Sequence, residues 1–285
     1  MQITVEYLKS RIPYEPVAMI ILGTGLGALA ESDYVQNRIE IPYAEIPGFV
    51  NTTAPSHQGK LIAGHINGTP VIILKGRFHF YEGHSMQQVV YPVRIARLLG
   101  VKYLFVTNAA GSLNEDLLPG QIVRITDHIN FMGTNPLIGS NIEELGERFP
   151  SMHNPYDVEL GKQALEIANR LNISVKQGVY CAVSGPSLET VAECMMLKRL
   201  GADLVGMSTV PEVIAAIHSQ MKVFAVSVVT NLSNIFHSRP HSQEEIRQNA
   251  DRASNDLILL FNELLGEIEK NKNERTTDDV RSNIQ

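Results

Sequence analysis

Cysteine is nearly absent from this chain: in 285 residues only Cys181 and Cys194 occur, with neither CxxC nor zinc-ligand spacing. That excludes a disulfide framework and a cysteine-based metal centre, and it fits two ordinary buried thiols in a reducing compartment. No run of Lys or Arg is long enough to form a backbone-binding stripe, and the net charge is -6. General attraction to nucleic acid is therefore excluded, and a phosphate group would have to be held by a local site. Long apolar runs are missing as well. The longest early one, 17–22, is far too short to span a bilayer, and residues 1–15 carry no apolar stretch behind a basic flank, so the expected location is cytoplasmic, with no membrane contact. Internal repeats and domain linkers are also lacking. The expected organisation is one domain over 1–269, followed by a polar tail, 270–285, too poor in apolar residues to offset the entropy of ordering and expected to be mobile.

What is present is a hydrophobic content of 44%, enough for a sizeable α/β core. The apolar run 17–22 reads as a buried strand feeding the glycine turn GTGLG, 23–27, whose backbone N–H groups can hold an anion. With Ala28 the turn also satisfies the degenerate GxGxxA dinucleotide pattern. The short apolar run after it, Pro42 and Pro47, and the want of a second strand ending in an acidic ribose ligand argue against that reading. Two extended runs within 61–75 flank Asn67-Gly68, a hairpin signal, so the sheet is expected to be mixed rather than purely parallel. Further on, the spacing predicts a helix over 89–99 and a strand over 103–107 ending in Asn108-Ala-Ala-Gly111. An irregular excursion over 130–156 is followed by a helix over 159–171, a strand over 175–183 and a helix over 190–200. A strand over 203–207, a helix capped by Thr209 with Glu212 completing a capping box, a strand over 222–229 and helical periodicity over 243–267 complete the chain.

The stretch GRFHFYEG, 76–83, carries the most concentrated chemistry. Read as an extended segment, it puts Arg77, His79 and Tyr81 on one side and Phe78 and Phe80 on the other. An Arg fork, an imidazole and a phenol together suit a small anion. Polar groups that a core would not want also stand at the other strand ends and loops: Thr24, Asn108 to Gly111, Glu189, Ser208 and Asn231. Their placement predicts one pocket above a sheet edge.

These residues stand inside an ordered set of motifs: GTGLG, SHQGK, GRFHFYEG, VTNAAGSLN, DHIN, NPL, RFP, GPSLET, GADLVGMSTVPEV and TN. In that order they closely resemble the trimeric type of purine nucleoside phosphorylase, from about residue 17 to 231. The resemblance implies an α/β fold with a distorted, barrel-like mixed sheet flanked by helices. It implies phosphorolysis of purine ribo- or deoxyribonucleosides to free base and α-pentose 1-phosphate, with inorganic phosphate as co-substrate and no metal or organic cofactor. It further implies that Thr24, Arg77, His79, the Ala109 backbone and Ser208 hold phosphate. Tyr81 and Met207 would line the ribose with His57 nearby, and Phe149 of a neighbouring subunit would close the sugar pocket of a homotrimer. Glu189 and Asn231 would bind the base, Glu189 accepting from N1–H of a 6-oxopurine and Asn231 donating to N7; with His79 these would be the catalytic groups.

Two departures from the family pattern stand out. Leu188 occupies the place of an aromatic residue that stacks on the purine. Near the C-terminus, Gln243 stands where a His contacts the sugar 5′-hydroxyl, and His241, two residues earlier, is the substitute. A xanthosine-preferring phosphorylase and a non-catalytic nucleoside sensor on the same fold are the alternative readings.

Overall fold

In the computed structural model the described residues are 1–23, 26–53, 58–237 and 242–282, with side chains as far as residue 271 except that of Gln243. The chain runs α1 (Gln2–Arg11), β1 (Ala18–Leu22), α2 (Ala28–Glu31), β2 (Gln36–Pro42), β3 (Lys60–Ile66), β4 (Thr69–Lys75), α3 (Met86–Val89) and α4 (Tyr91–Leu98). It continues through β5 (Tyr103–Ser112), β6 (Ile122–Phe131), α5 (Val158–Arg170), β7 (Val175–Val183), α6 (Val191–Arg199) and β8 (Leu204–Gly206). Last come α7 (Val210–His218), β9 (Lys222–Leu232), α8 (Gln243–Arg252) and α9 (Ser254–Ser282), so the backbone of the polar tail is helical as far as Ser282.

The strands form one mixed sheet in the order β2-β3-β4-β1-β5-β8-β7-β6-β9, and a further pairing of β5 with β9 closes its second half into a barrel. The hairpin of β3 and β4 is antiparallel with Ile66 opposite Thr69. Its turn residues Asn67 (φ 48) and Gly68 (φ 85) occupy the left-handed region that a two-residue turn of this kind requires. β1 is parallel to both β4 and β5 and buried along its whole length, which is why it reads as a continuous apolar run.

Two apolar layers flank the sheet. One collects α1, α3, α4 and α7, the other α2, α5, α8 and α9. In the second, Phe105, Phe224 and Phe261 meet edge to face at centroid distances of 5.4 to 6.1 Å and are all fully buried. Each contributes roughly 1.5–3 kcal/mol by burial alone.

The structure differs from the sequence reading in four places. α1, α2, α3, β2 and β6 were not expected. β2 is an edge strand with an exposed flank, and β6 mixes charged and apolar residues because its burial is uneven, so neither shows a clean alternation. β5 does not stop at Thr107. It runs on through Asn108 to Ser112 because β9 pairs with it over that whole length, with a register shift between Ala110 and Gly111. Residues 76–83 are not extended: β4 ends at Lys75 and residues Phe80–Glu82 make a 3-10 turn. The apolar partition survives nonetheless, since Phe78 is buried and Phe80 packs on the same layer. Finally, Thr209 precedes α7 but makes no cap hydrogen bond, so the capping box is absent. Its side chain is engaged elsewhere.

Candidate active site

β1 pairs with β5 only as far as Val106, so beyond that point one flank of β5 faces a turn instead of a strand. Gly23 fills the place. A Cβ there would come within 2.7 Å of Asn108 Cα and 2.8 Å of the Thr107 carbonyl oxygen, so only glycine lets the chain cross at this depth. Its N–H donates to Thr107 Oγ1 at 2.9 Å, pinning the start of the glycine turn to β5.

Directly beside this crossing lies Arg77, 3% exposed. Its Nη1 donates to Thr209 Oγ1 at 3.1 Å and pairs with Glu212 Oε1 at 3.3 Å, while Nη2 donates to the Thr107 carbonyl. Asn108 Nδ2 also donates to Thr209 Oγ1, at 2.8 Å. With both lone pairs of that hydroxyl taken, its own proton is left for Ser208 Oγ at 3.2 Å, which frees the Ser208 proton to face outward. Thr209 reaches this position only by adopting φ 73. For a β-branched residue that conformation costs about 1–3 kcal/mol, a strain typical of functional sites. The open bidentate fork expected of Arg77 is thus modified: a phosphate reaching it shares the guanidinium with Glu212, Thr209 and Thr107.

His79 is 7% exposed and its ring stacks on Tyr81 at 4.6 Å. The Glu82 carboxylate accepts from both His79 Nδ1 and the His79 backbone N–H at 2.9 Å, while its other oxygen accepts from the backbone N–H of Thr53 at 2.5 Å and from its hydroxyl at 2.8 Å. Burial works against the ionised carboxyl, but these hydrogen bonds outweigh it and hold Glu82 well below the usual carboxylate range. Burial is the larger influence on His79 and lowers its pKa, with Glu82 opposing. Glu82 therefore orients the ring while leaving it predominantly neutral.

Both shifts have the same sign for stability. A carboxyl depressed in the fold stabilises it above the ordinary carboxylate pKa of 4.5, and that contribution is lost as pH falls below this value. A depressed imidazole likewise disfavours the fold once pH falls below its ordinary 6.5. Glu82→Gln is expected to flatten the acid limb. Measured by urea unfolding at successive pH values below about 5, its stability should fall less steeply than wild type by up to about 1.4 kcal/mol per pH unit. An unchanged slope would remove Glu82 from this role.

On the far side of β5 lies a cavity of about 210 Å³, lined by Ala109, Ala110 and Gly111, by Leu188 and Glu189, by Gly206 and Met207, and by Asn231 and Asn234. The Asn231 amide is oriented by its neighbours: Oδ1 accepts from Thr230 Oγ1 at 2.9 Å and Nδ2 donates to the Leu232 carbonyl at 3.3 Å. The second Nδ2 hydrogen has no partner among the described residues. A Cβ on Gly111 would press to 3.3 Å from this Nδ2, so the glycine keeps the amide accessible. Glu189 is half-buried, and burial, with Glu193 adding, raises its pKa. Its loop is fastened by Asn234 Nδ2, which donates to the Glu189 carbonyl at 2.7 Å. Thr230 is held in turn from α8, where buried Asn249 donates to its carbonyl at 2.8 Å.

The expected residues thus fall into two connected groups. Arg77, His79, Tyr81 and Ser208 stand on one side and Leu188, Glu189, Met207 and Asn231 on the other, joined by Asn108-Ala109 on β5 and by the segment Met207 to Thr209. Thr24, His57 and His241 lie outside the described residues, as does the Gln243 side chain. Phe149 is not in this pocket. It is 86% exposed in the excursion after β6, beside a separate cavity lined by Arg148, Met152 and Ile214. Sequence reasoning missed Thr209, Glu212, Glu82 and Asn234 as site residues, whereas Asn108 stood among the polar groups it placed at the pocket. The only signal for Glu82 was its spacing from His79, and Thr209 and Glu212 were indistinguishable from a helix cap.

A barrel closed by β5 and β9, with a buried arginine, imidazole and hydroxyl cluster on one side and an oriented amide and a half-buried carboxylate on the other, defines a polar pocket at the strand ends. The chain belongs to the phosphorylase superfamily, whose family model matches residues 18–266. It is 44% identical over 263 residues to purine nucleoside phosphorylase 1 of Bacillus subtilis (strain 168), covering 92% of this chain and 96% of that one. A crystal structure of Schistosoma mansoni purine nucleoside phosphorylase in complex with adenosine matches with a TM-score of 0.87 at 41% identity, covering 92% of this chain and 95% of that one. Isoform 2 from the same organism, in complex with cytosine and ribose-1-phosphate, matches with a TM-score of 0.88 at 40% identity, covering 93% and 95%.

Proposed function

We propose that this protein is a purine nucleoside phosphorylase that cleaves 6-oxopurine ribo- and deoxyribonucleosides, inosine and guanosine, with inorganic phosphate as co-substrate and without metal or organic cofactor. The observation that carries the reading is the pairing of an Arg77–His79–Ser208 cluster with an oriented Asn231 amide across β5. Cleavage of the glycosidic bond develops positive charge on the sugar and negative charge on the departing purine. Phosphate held by Ser208, the Ala109 backbone, Arg77 and His79 stabilises the first charge and becomes the nucleophile. Asn231, with an N–H to spare, donates to N7 as charge gathers there, and Glu189 accepts from N1–H. Thr24 completes the phosphate cradle in this reading, and Tyr81, Met207 and His57 line the ribose, with His241 on its 5′-hydroxyl. Leu188 supplies an apolar edge in place of a stacking ring.

The test is hypoxanthine release from inosine. It is expected only with phosphate present and with stoichiometric pentose 1-phosphate; release without phosphate, or none at all, overturns the reading. Because a structural neighbour carries adenosine, turnover of inosine and guanosine against adenosine and xanthosine reads the base preference directly. Adenosine, with an acceptor at N1 facing Glu189, is expected to be the poorer substrate.

The exposed Phe149 fits a role in another copy's sugar pocket, and with it a homotrimer. Phe149→Ala is expected to raise the nucleoside KM about tenfold or more while leaving the phosphate KM within about twofold, the loss of one buried aromatic contact. Sedimentation of the wild type as a monomer with full activity would overturn the shared-site assignment. Among the described residues no helix is long and apolar enough to cross a membrane; a cytoplasmic location, a role in purine salvage and the division into a domain at 1–269 and a mobile tail belong to this same reading.

A further inference from the structure

A second cavity, of about 310 Å³, opens between α4, the end of α7 and the excursion after β6, with Gln87, Arg94, Pro136, Ser140, Asn141 and His218 among its lining residues. It shares none of these with the pocket of Glu189 and Asn231. Arg94 is 8% exposed. Its Nη1 donates to Gln87 Oε1 at 2.9 Å and its Nη2 to the Pro136 carbonyl at 3.1 Å, both neutral acceptors, while Nε has no hydrogen-bond partner among the described residues. No carboxylate pairs with it among the described residues. This contrasts with Arg77, also buried, whose charge is met by Glu212. His218, 3% exposed, adds a second nitrogen-bearing side chain, tied through Nε2 to Asn141 Oδ1 at 3.0 Å. Arg148, whose Nη1 donates to the Leu137 carbonyl at 2.8 Å, adds positive potential nearby, against the exposed Glu143.

A guanidinium buried without a counter-charge is costly unless something anionic joins it. The cavity is at the lower end of the size range of small-molecule sites. We propose that it is a second, non-catalytic site for a small oxyanion of phosphate or carboxylate type, gripped by Arg94 with Gln87, Ser140, Asn141 and His218 as polar neighbours. This site is independent of the reaction assigned above. It sits at the C-terminal end of α7, the helix whose first turn carries the Glu212 partner of Arg77.

Calorimetric titration with inorganic phosphate, and separately with succinate, tests this on the full chain. Wild type is expected to bind one more anion per chain than Arg94→Gln, whose side chain still hydrogen-bonds but carries no charge. The affinity of that additional site should fall at least about tenfold in the variant. Phosphorolysis at saturating phosphate should be unchanged by the substitution, which separates this site from the catalytic one. Preference of the additional site for phosphate or for succinate tells the two anion classes apart. Should Arg94→Gln not fold, Ser140→Asp decides: a carboxylate on the cavity wall is expected to abolish the additional binding and raise Tm. An additional site of equal stoichiometry and equal affinity in wild type and variant, or binding only above about 10 mM, overturns the proposal. So does a crystal structure grown without added anions in which a carboxylate of another copy sits on Arg94.

Discussion

Replacing Asn231 by alanine is expected to lower kcat for inosine phosphorolysis by about 10²–10³-fold, the usual consequence of removing one donor from a site where charge develops in the transition state. The phosphate KM should stay within about twofold, because the amide lies across β5 from the phosphate cluster and donates to the purine alone in the proposed reaction. The amide is oriented by Thr230 and held open by Gly111, so the loss should be one of transition-state stabilisation and not of local structure. Steady-state kinetics with varied phosphate and varied inosine resolve the two parameters. A loss shared equally between kcat and phosphate KM would refute the assigned role.

Arg77→Met is expected to have two separable effects. Glu212, 3% exposed at its side chain, loses the guanidinium that neutralises it. Leaving a buried charge unpaired costs about 3–5 kcal/mol, which for a domain of this size corresponds to a Tm drop on the order of 10 °C. The phosphate KM should also rise by more than about tenfold, since a charge-assisted contact to the anion is removed. Adding Glu212→Gln to Arg77→Met separates the two. Thermal unfolding should recover most of the stability in the double variant, whereas phosphate affinity should remain poor. Recovery of both would mean that Arg77 acts only as the partner of Glu212 and Thr209 in the core.

Much of the site was legible from residue types alone, because the needs of the ligand and of the core conflict. Arg77, His79, Glu189, Ser208 and Asn231 are polar groups next to strongly apolar strands, where burial without a purpose is expensive. The hairpin at Asn67-Gly68 was legible for a different reason, since few residues other than Asn and Gly tolerate positive φ in succession. β2 and β6 were not, because strand formation there is decided by pairing partners far away in sequence: β6 by β7 and β9, β2 by β3. Residues 76–83 alternate as a strand does, yet no neighbouring strand meets them beyond Lys75, and the chain turns.

The sequence by itself determined the mixed α/β class, the strands with continuous apolar runs and the residue types on which the proposed chemistry draws, because composition and short-range periodicity act locally. Only the tertiary structure decided how those groups are held. Thr209 and Glu212 read as a helix cap until α7 is placed against Arg77, and Glu82 carries no assignment until Thr53 and His79 converge on it. Arg94, unremarked in the sequence, stands out only once the fold buries it against neutral acceptors, with no counter-ion among the described residues. Each of these depends on contacts between segments tens to more than a hundred residues apart, which local preference does not encode.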